Sequence, residues 1–588
     1  MSIRTKIICT IGPSVSSYEK IRELINAGMN VARINFSHGS YEEHEQIILN
    51  IKKARKDANV PIAIMLDTKG PEVRLGVIAG GSAQLITGQK WLLVPEEIQG
   101  NQEQVTIRPG YVLDKVLIGS KILFDDGYIS SQVLEKRKDG VVVEIENSGE
   151  IKTGKGVNFP YAKLNLPTMT EKDIADFTFG CKHELEYIAA SFIRTADDVL
   201  AIKNLLTELN MPEMQVIAKI ENHEGVENFD TILQVADGIM IARGDLGVEL
   251  PLTQVPKLQK MMIRKCYFAG KPAVTATQML ESMIKNPRPT RAEASDVANA
   301  IYDGTSVVML SGETAIGKYP IDTVKIMKNI IEETEMDLDY RNFFNIHSPL
   351  AYNDVPSAVT LATVKTAYSS NAKVIFAFTS TGSTPRLLSR LRPQIPILAM
   401  TSNEKVYHQM AMNWGVIPVL EKECSSLMEA YGRISSYALE HKYVNYGDLV
   451  VMTAGSPFGI SGTTNMMIVE SIGDVLVRGK SGCGPRVHGK IAILHTPEGK
   501  HSYEMKNKIM LIAKCNESYF PMIKESLGVI LQNHPDDIES ETFAMQTART
   551  LNKPCLVQAT NALHILNEGQ LVTLDPLNYI VYKGVVIT

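Results

Sequence analysis

The chain has 588 residues, 44% hydrophobic and 21% charged, with a formal net charge of −5. That length exceeds one hydrophobic core and calls for three or four domains. The modest charge leaves no nucleic-acid footprint, and no apolar run approaches the ~20 residues of a membrane span. Seven scattered cysteines without a CxxC pair fit free thiols in a reducing compartment. The first residues have too short an apolar core for a signal peptide, so the expected location is cytoplasmic.

In chain order, residues 6–11 predict a strand, a Gly12-Pro13-Ser14 turn follows, and 18–27 predicts a helix. Residues 31–36 form a second strand whose Arg33, Asn35 and Ser37 alternate onto one face. A long charged helix at 41–58 leads to a third strand at 62–66, ending Asp67-Thr68-Lys69-Gly70-Pro71. Strand-helix repetition with polar strand ends is the pattern of a βα barrel. From about 72 to 166 the pattern changes to short alternating runs, such as 104–108 and 141–146, separated by Asp-Gly turns. That predicts a small β domain inserted into the barrel. The earlier rhythm resumes at Thr170, with helices at 171–179 and 196–209 around a strand at 187–191.

Residues 216–247 carry the densest chemistry. They read as a strand, a helix near 224–235 and a second strand at 238–242 that ends in Arg243-Gly244-Asp245. Lys219 and Glu221 share a strand face, and Asp245 closes the next strand. Charges at the C-terminal ends of buried parallel strands are where α/β barrels keep their chemistry. Two carboxylates there can hold Mg2+ or Mn2+ together with waters and substrate oxygens. The lysine offers a fixed positive charge to a phosphoryl group or an enolate, and the backbone N–H groups at Gly244 suit a carboxylate or phosphate. A structural ion pair between Lys219 and an acid is the alternative. A strand at 272–275 then runs into Thr277, and one at 306–310 into Ser311-Gly312-Glu313-Thr314, for eight strands in all.

Residues 354–472 predict an open, doubly wound α/β domain: a helix at 355–369 and strands at 374–378, 397–400 and 449–453. Its loop Thr379-Ser380-Thr381-Gly382-Ser383-Thr384 is a candidate phosphate nest without a Walker lysine, or else a turn rich in N-caps. The run from Gly455 to Thr464 is a second glycine-and-hydroxyl segment. Residues 479–485 read as a linker. Residues 490–588 read as an α/β or β-rich unit, with strands near 491–494, 529–531, 556–558 and 580–585. His38 and His44 suit surface or capping roles; Met261, Met262, Met327 and Cys266 suit the core.

At 31–39 (VARINFSHG), 66–72 (LDTKGPE), 219–222 (KIEN), 242–247 (ARGDLG) and 277–293 (TQMLESMIKNPRPTRAE), the chain resembles the pyruvate kinases, over about residues 1 to 472. The resemblance implies a (β/α)8 TIM barrel at 1–70 and 170–345, an inserted β-barrel lid at 71–169 and an α/β allosteric domain at 346–473. It implies transfer of the phosphoryl group of phosphoenolpyruvate to ADP, giving pyruvate and ATP. Carried over, Lys219 stabilises the phosphoryl group in flight, and Glu221 and Asp245 bind Mg2+. Arg33, Gly244 and Thr277 contact phosphoenolpyruvate. Asn35, Ser37, Asp67 and Thr68 form a K+ site, Arg74 and Lys155 reach the nucleotide phosphates, and Ser311 and Glu313 belong to a proton relay. Glu72 marks the members that need K+. The family is usually a homotetramer, and the loop at 379–384 matches its site for a phosphorylated effector. The remaining segment, 474–588, resembles at 541–588 the swivelling phosphohistidine domain of phosphoenolpyruvate-utilising enzymes, with Phe543 where that family has its histidine. The rival functions are a Mg2+-dependent barrel lyase, separable by ADP-dependent pyruvate formation, and a non-catalytic sensor, separable by effector binding without turnover.

Overall fold

Eight short strands close into a parallel barrel in the computed structural model, which describes residues 3–348, 354–456, 463–498 and 502–586. In chain order they are β1 (Lys6–Thr10), β2 (Val31–Asn35), β3 (Ala63–Asp67), β4 (Tyr187–Ala190), β5 (Gln215–Ile220), β6 (Gly238–Ala242), β7 (Ala273–Ala276) and β8 (Val307–Leu310). Each strand pairs with its chain neighbours, and β8 pairs back to β1, with Lys6 opposite Val307. Their unbroken apolar character has a physical cause. Helices cover the outer face and side chains fill the lumen, so neither face of a strand meets water. Val31, Met65, Tyr187, Ile217, Met240 and Val274 belong to one buried cluster, and the helices pack around the outside on a larger one.

Capping boxes fix where the helices start. Ser40 with Glu43, Thr170 with Asp173, Thr195 with Asp198 and Thr290 with Glu293 each satisfy the free N–H groups of a first turn. The helix expected at 224–235 is instead two, His223–Glu227 and Phe229–Val235. The break falls at Asn228, whose side-chain amide donates to the Arg194 carbonyl at 2.9 Å. His44, expected in a surface or capping role, is buried and stacked on Phe36 with ring centroids 4.1 Å apart. Met262, Met327 and Cys266 are core residues.

Between β3 and the helix Glu171–Lys182 the chain leaves the barrel and forms a seven-stranded and a two-stranded sheet. These have their own core, in which Trp91 meets Phe124 edge-on at 5.2 Å. The exit and the return meet: the Gly70 N–H donates to Asp173 Oδ1 at 3.1 Å, and Asp173 also caps the returning helix. Gly70 has φ +72, and a Cβ there would lie 2.9 Å from the Ser191 Cβ, so this passage requires glycine.

The chain forms two compact units, one of residues up to 364 with 377–423 and 454–466, the other of 365–376, 424–453 and 467 onward. The five-stranded sheet of the α/β domain contains two strands absent from the sequence reading, Val416–Leu420 and Thr464–Ser471. Both are edge strands. An edge tolerates the Pro418 that disguised the first of them, because one side of its backbone needs no ladder partner. Residues 457–462, within the expected glycine-and-hydroxyl run, lie outside the described residues.

In the second unit an eight-stranded mixed sheet fills the C-terminal region. The linker expected at 479–485 is partly a strand: Ser481–Cys483 pairs antiparallel with Cys555–Val557. Strands Lys508–Ile512 and Leu571–Asp575 were also unread, and the first is a central parallel strand. Phe543 lies on the helix Ile538–Thr550 and packs against the core of this region.

Candidate active site

Polar residues gather where the barrel strands end. Lys219, near the end of β5, is only 9% exposed. Its ammonium lies 3.1 Å from Asp67 Oδ1 and 3.0 Å from Glu221 Oε1, and donates to Ser191 Oγ at 2.7 Å. The period-two spacing of 219 and 221 thus brings both side chains to one point, while Asp67 arrives from β3, two strands away around the barrel. The other Asp67 oxygen accepts from Arg33 Nε at 2.6 Å, and Arg33 also donates to Thr10 Oγ1 at 2.9 Å. Two cations therefore face one buried carboxylate. Burial opposes its ionisation, but Arg33 and Lys219 outweigh burial and hold Asp67 below the usual aspartate range.

Burial likewise disfavours the charge on Lys219, yet Asp67 and Glu221 keep it protonated well above an ordinary lysine. The carboxylates on the other side behave differently. Burial pushes Glu221 up, Lys219 opposes the shift, and Asp245 adds to it. Asp245, on the short helix Arg243–Glu249 after β6, is raised by burial, with a contribution from Asp126 of the inserted domain. Two buried acids whose proton affinity is raised, Glu221 in part by Asp245, form a site that a divalent cation would relieve. Among the described residues no cluster of three or more His, Cys, Asp or Glu side chains forms a metal site. A pair of carboxylates is the protein contribution typical of an ion that completes its shell with water and substrate oxygens.

Asn35 and Asp67 are register partners on β2 and β3. Asn35 Oδ1 accepts from the Ser37 N–H at 3.0 Å, and the Phe36 N–H donates to the Asp67 carbonyl at 3.0 Å. Thr68 is buried; its carbonyl accepts from Ser191 Oγ at 2.7 Å. Asn35, Ser37, Asp67 and Thr68 thus lie at and just beyond two adjacent strand ends, with the Asp67 carboxylate bonded to Arg33 and Lys219 and the Thr68 carbonyl to Ser191.

On the opposite side the Gly244 N–H donates to Thr277 Oγ1 at 2.8 Å. Thr277 and Gln278 both have positive φ, +67° and +54°. For a β-branched threonine that is an uncommon conformation, of the kind that clusters at functional sites. Arg243 holds it there: Nη2 donates to the Thr277 carbonyl at 2.7 Å, Nε to the Ala276 carbonyl at 3.2 Å, and Nη1 pairs with Asp296 at 2.7 Å. Glu313 is 2% exposed; its carboxylate accepts from the Ser311 N–H at 2.7 Å and the Leu280 N–H at 3.1 Å, and burial raises its pKa.

A cleft of about 600 Å³ runs between the inserted sheets and the barrel mouth, lined by Arg74, Lys155, Asp126, Asn222 and Asp245 among others. Arg74 is held by Glu72 and donates to the Gly154 carbonyl at 2.8 Å, and Lys155 pairs with Asp125 at 2.8 Å. Both cations are thus paired with local acids at the edge of the cleft.

Sequence reasoning missed two participants. Ser191 and Arg243 were read as strand ends without a role, although each makes bonds that fix a site residue. Arg243 stood inside the ARGD segment and carried the only signal available, a charge at a strand end.

In the loop at 379–384, the Gly382 N–H donates to Thr379 Oγ1 at 2.9 Å and Thr381 Oγ1 donates to Ser383 Oγ at 3.2 Å. Thr384 faces inward, 3% exposed, with its hydroxyl 2.6 Å from that of Thr464. Its hydroxyl is thereby committed to packing, in contrast to Thr381, which is exposed.

Comparison with known proteins points to one family. A family model described as the barrel domain of pyruvate kinase matches residues 2–324, and one described as its alpha/beta domain matches residues 357–470. A pyruvate kinase of Geobacillus stearothermophilus is 42% identical over 586 residues, covering 99% of both chains. One of Sporosarcina psychrophila is 41% identical over 584 residues, again covering 99% of both. The crystal structure of a pyruvate kinase from Cryptosporidium parvum matches with a TM-score of 0.77 at 40% identity, covering 80% of this chain and 96% of that one.

Proposed function

The chain belongs to the pyruvate kinase family, and from that premise we propose how its own residues carry the reaction. The enzyme is a phosphotransferase: it moves the phosphoryl group of phosphoenolpyruvate to ADP, yielding ATP and pyruvate, the last step of glycolysis. Such a transfer needs positioning and charge neutralisation more than covalent chemistry. The observation that carries the assignment is the Lys219 ammonium, buried and aimed by Asp67, Glu221 and Ser191 at the barrel mouth. Lys219 meets the charge of the phosphoryl group in flight, with Arg33 beside it. The Gly244 N–H and the Thr277 hydroxyl orient the carboxylate of phosphoenolpyruvate. Arg74 and Lys155 exchange their acid partners for nucleotide phosphates, so the inserted domain works as a lid that excludes water. Glu313, which burial holds toward its protonated form, and Ser311 lie on the proton path to the enolate carbon.

Glu221 and Asp245 would hold Mg2+ or Mn2+, which neutralises phosphoryl oxygens when bound. Asn35, Ser37, Asp67 and Thr68 would hold K+, the fixed cation that the presence of Glu72 calls for. We assign the loop at 379–384 to a phosphorylated allosteric effector, and the assembly to a cytoplasmic homotetramer; no helix among the described residues is long and apolar enough to cross a membrane. Pyruvate formation from phosphoenolpyruvate tests the reading. It requires ADP and a divalent ion and rises with K+; turnover that persists without ADP points to the lyase.

A further inference from the structure

At the N-terminal ends of β7 and β8, on the face of the barrel opposite the strand-end site, lies a narrow cleft of about 20 Å³. Lys271, Ser306, Arg386, Arg390, Arg392 and Trp414 line it, and none of the described residues around it is a carboxylate. Arg392 is 6% exposed. One end of its guanidinium is committed: Nη2 donates to the Gly304 carbonyl at 2.7 Å and to Ser306 Oγ at 3.0 Å, and the group lies 4.4 Å over the Trp414 ring. Its Nε and Nη1, both buried, have no hydrogen-bond partner.

An arginine taken out of water leaves costly unmade bonds unless an anion or acceptor meets it. Burial accordingly pulls Arg392 down to about 10, and Lys271 down to about 8 with Arg386 adding to the shift. The acids nearest these groups are engaged elsewhere. Glu335 accepts from the Arg4 and Thr5 N–H groups, and Asp237 binds Lys203 and the Val216 N–H. The Lys271 ammonium spends two of its donors on the Leu233 and Gln234 carbonyls at 2.7 and 2.8 Å, which leaves its third. Four cationic side chains therefore surround a space for one small ion, too small for a sugar or a base. Planar guanidinium donors match the oxygens of a tetrahedral oxyanion.

We propose that this cleft binds a single inorganic oxyanion of the phosphate class, held chiefly by Arg392 with Lys271 and Arg386. The site shares no residue with the strand-end centre or with the loop at 379–384. An anion there would tie the barrel ends at Ser306 and Lys271 to the segment from Arg386 to Trp414, all within the first compact unit.

The test uses the full-length protein with selenate and inorganic phosphate as probes. Crystals grown with selenate should give an anomalous selenium peak within hydrogen-bond reach of Arg392 Nε or Nη1. The double variant Lys271→Gln/Arg386→Gln, at two partly exposed positions, should lose that peak and bind phosphate roughly ten-fold or more weakly at this cleft. A thermal-shift titration reads the second effect. Phosphate bound at the barrel mouth raises Tm in both proteins alike, so the difference between them reports the cleft. Arg392→Lys keeps the charge and removes the fork, and should weaken binding as well. The proposal is overturned by an empty cleft beside selenate peaks elsewhere, or by identical phosphate titrations of wild type and double variant. A peak at high selenate without any Tm difference means an adventitious ion only, and overturns it equally.

Discussion

Replacing Lys219 by Met removes one ammonium and keeps most of the side-chain volume. In the folded chain that ammonium makes three contacts of 2.7–3.1 Å, to Ser191, Glu221 and Asp67. A unit charge about 4 Å from a phosphoryl oxygen is worth roughly 4 kcal/mol at the effective dielectric of a protein site. Loss of one preorganised electrostatic donor costs ~10²–10³ in kcat, or about 2.7–4 kcal/mol. We expect a fall of that size in kcat, with a much smaller change in KM for phosphoenolpyruvate, whose proposed anchors at Arg33, Gly244 and Thr277 remain. The same substitution removes the charge that opposes the upward shift of Glu221, so the acid limb of the pH–rate profile should move to higher pH. The assay is pyruvate production coupled to NADH oxidation, with circular dichroism to confirm folding. A folded variant whose kcat stays within a few-fold of wild type, with an unmoved acid limb, would refute the role given to Lys219.

Arg74→Ala should raise the KM for ADP several-fold at an unchanged fold, because Arg74 lies at the cleft edge with 41% of its side chain exposed; unchanged ADP kinetics would count against the lid. Glu221 and Asp245 have raised pKa values in the folded chain, so their contribution to stability is present below the ordinary carboxylate range. It is lost as pH rises through the raised values. A divalent ion removes that loss, so the Tm gain from Mg2+ should be larger at neutral than at mildly acid pH; a pH-independent gain measured by calorimetry would contradict it. Thr381→Ala with Ser383→Ala should abolish activation by sugar phosphates or AMP in steady-state kinetics, and retained activation would reject the loop. Arg243→Lys should release the strained Thr277 backbone and lower kcat/KM ~10-fold or more, since a lysine cannot reproduce the fork to two carbonyls and Asp296; wild-type kinetics would show the clamp to be dispensable.

Much of the barrel was legible because its signals are local. Apolar runs of four to six residues and charges at strand ends can each be read within a short stretch of chain. Lys219 and Glu221 were paired by period two alone. What stayed hidden depends on partners distant in sequence. Nothing near Ser191 says that its hydroxyl meets Lys219, and nothing in Thr384 says that it turns toward Thr464, eighty positions on. The split helix at Asn228 follows from a bond to Arg194, also remote. Edge strands were missed for another reason. Their half-exposed, mixed composition at 464–471 and 481–483 resembles a loop until the neighbour is known.

The bond from Gly70 to Asp173 fastens the outgoing and returning ends of the inserted domain together, about a hundred residues apart. Seen from the barrel, the excursion is a closed loop of near-zero span. Its length then adds little entropy penalty to folding, since closure cost grows only logarithmically with loop size. A module mounted on such a clasp can be lengthened, trimmed or exchanged by evolution while the strands beneath it keep their register.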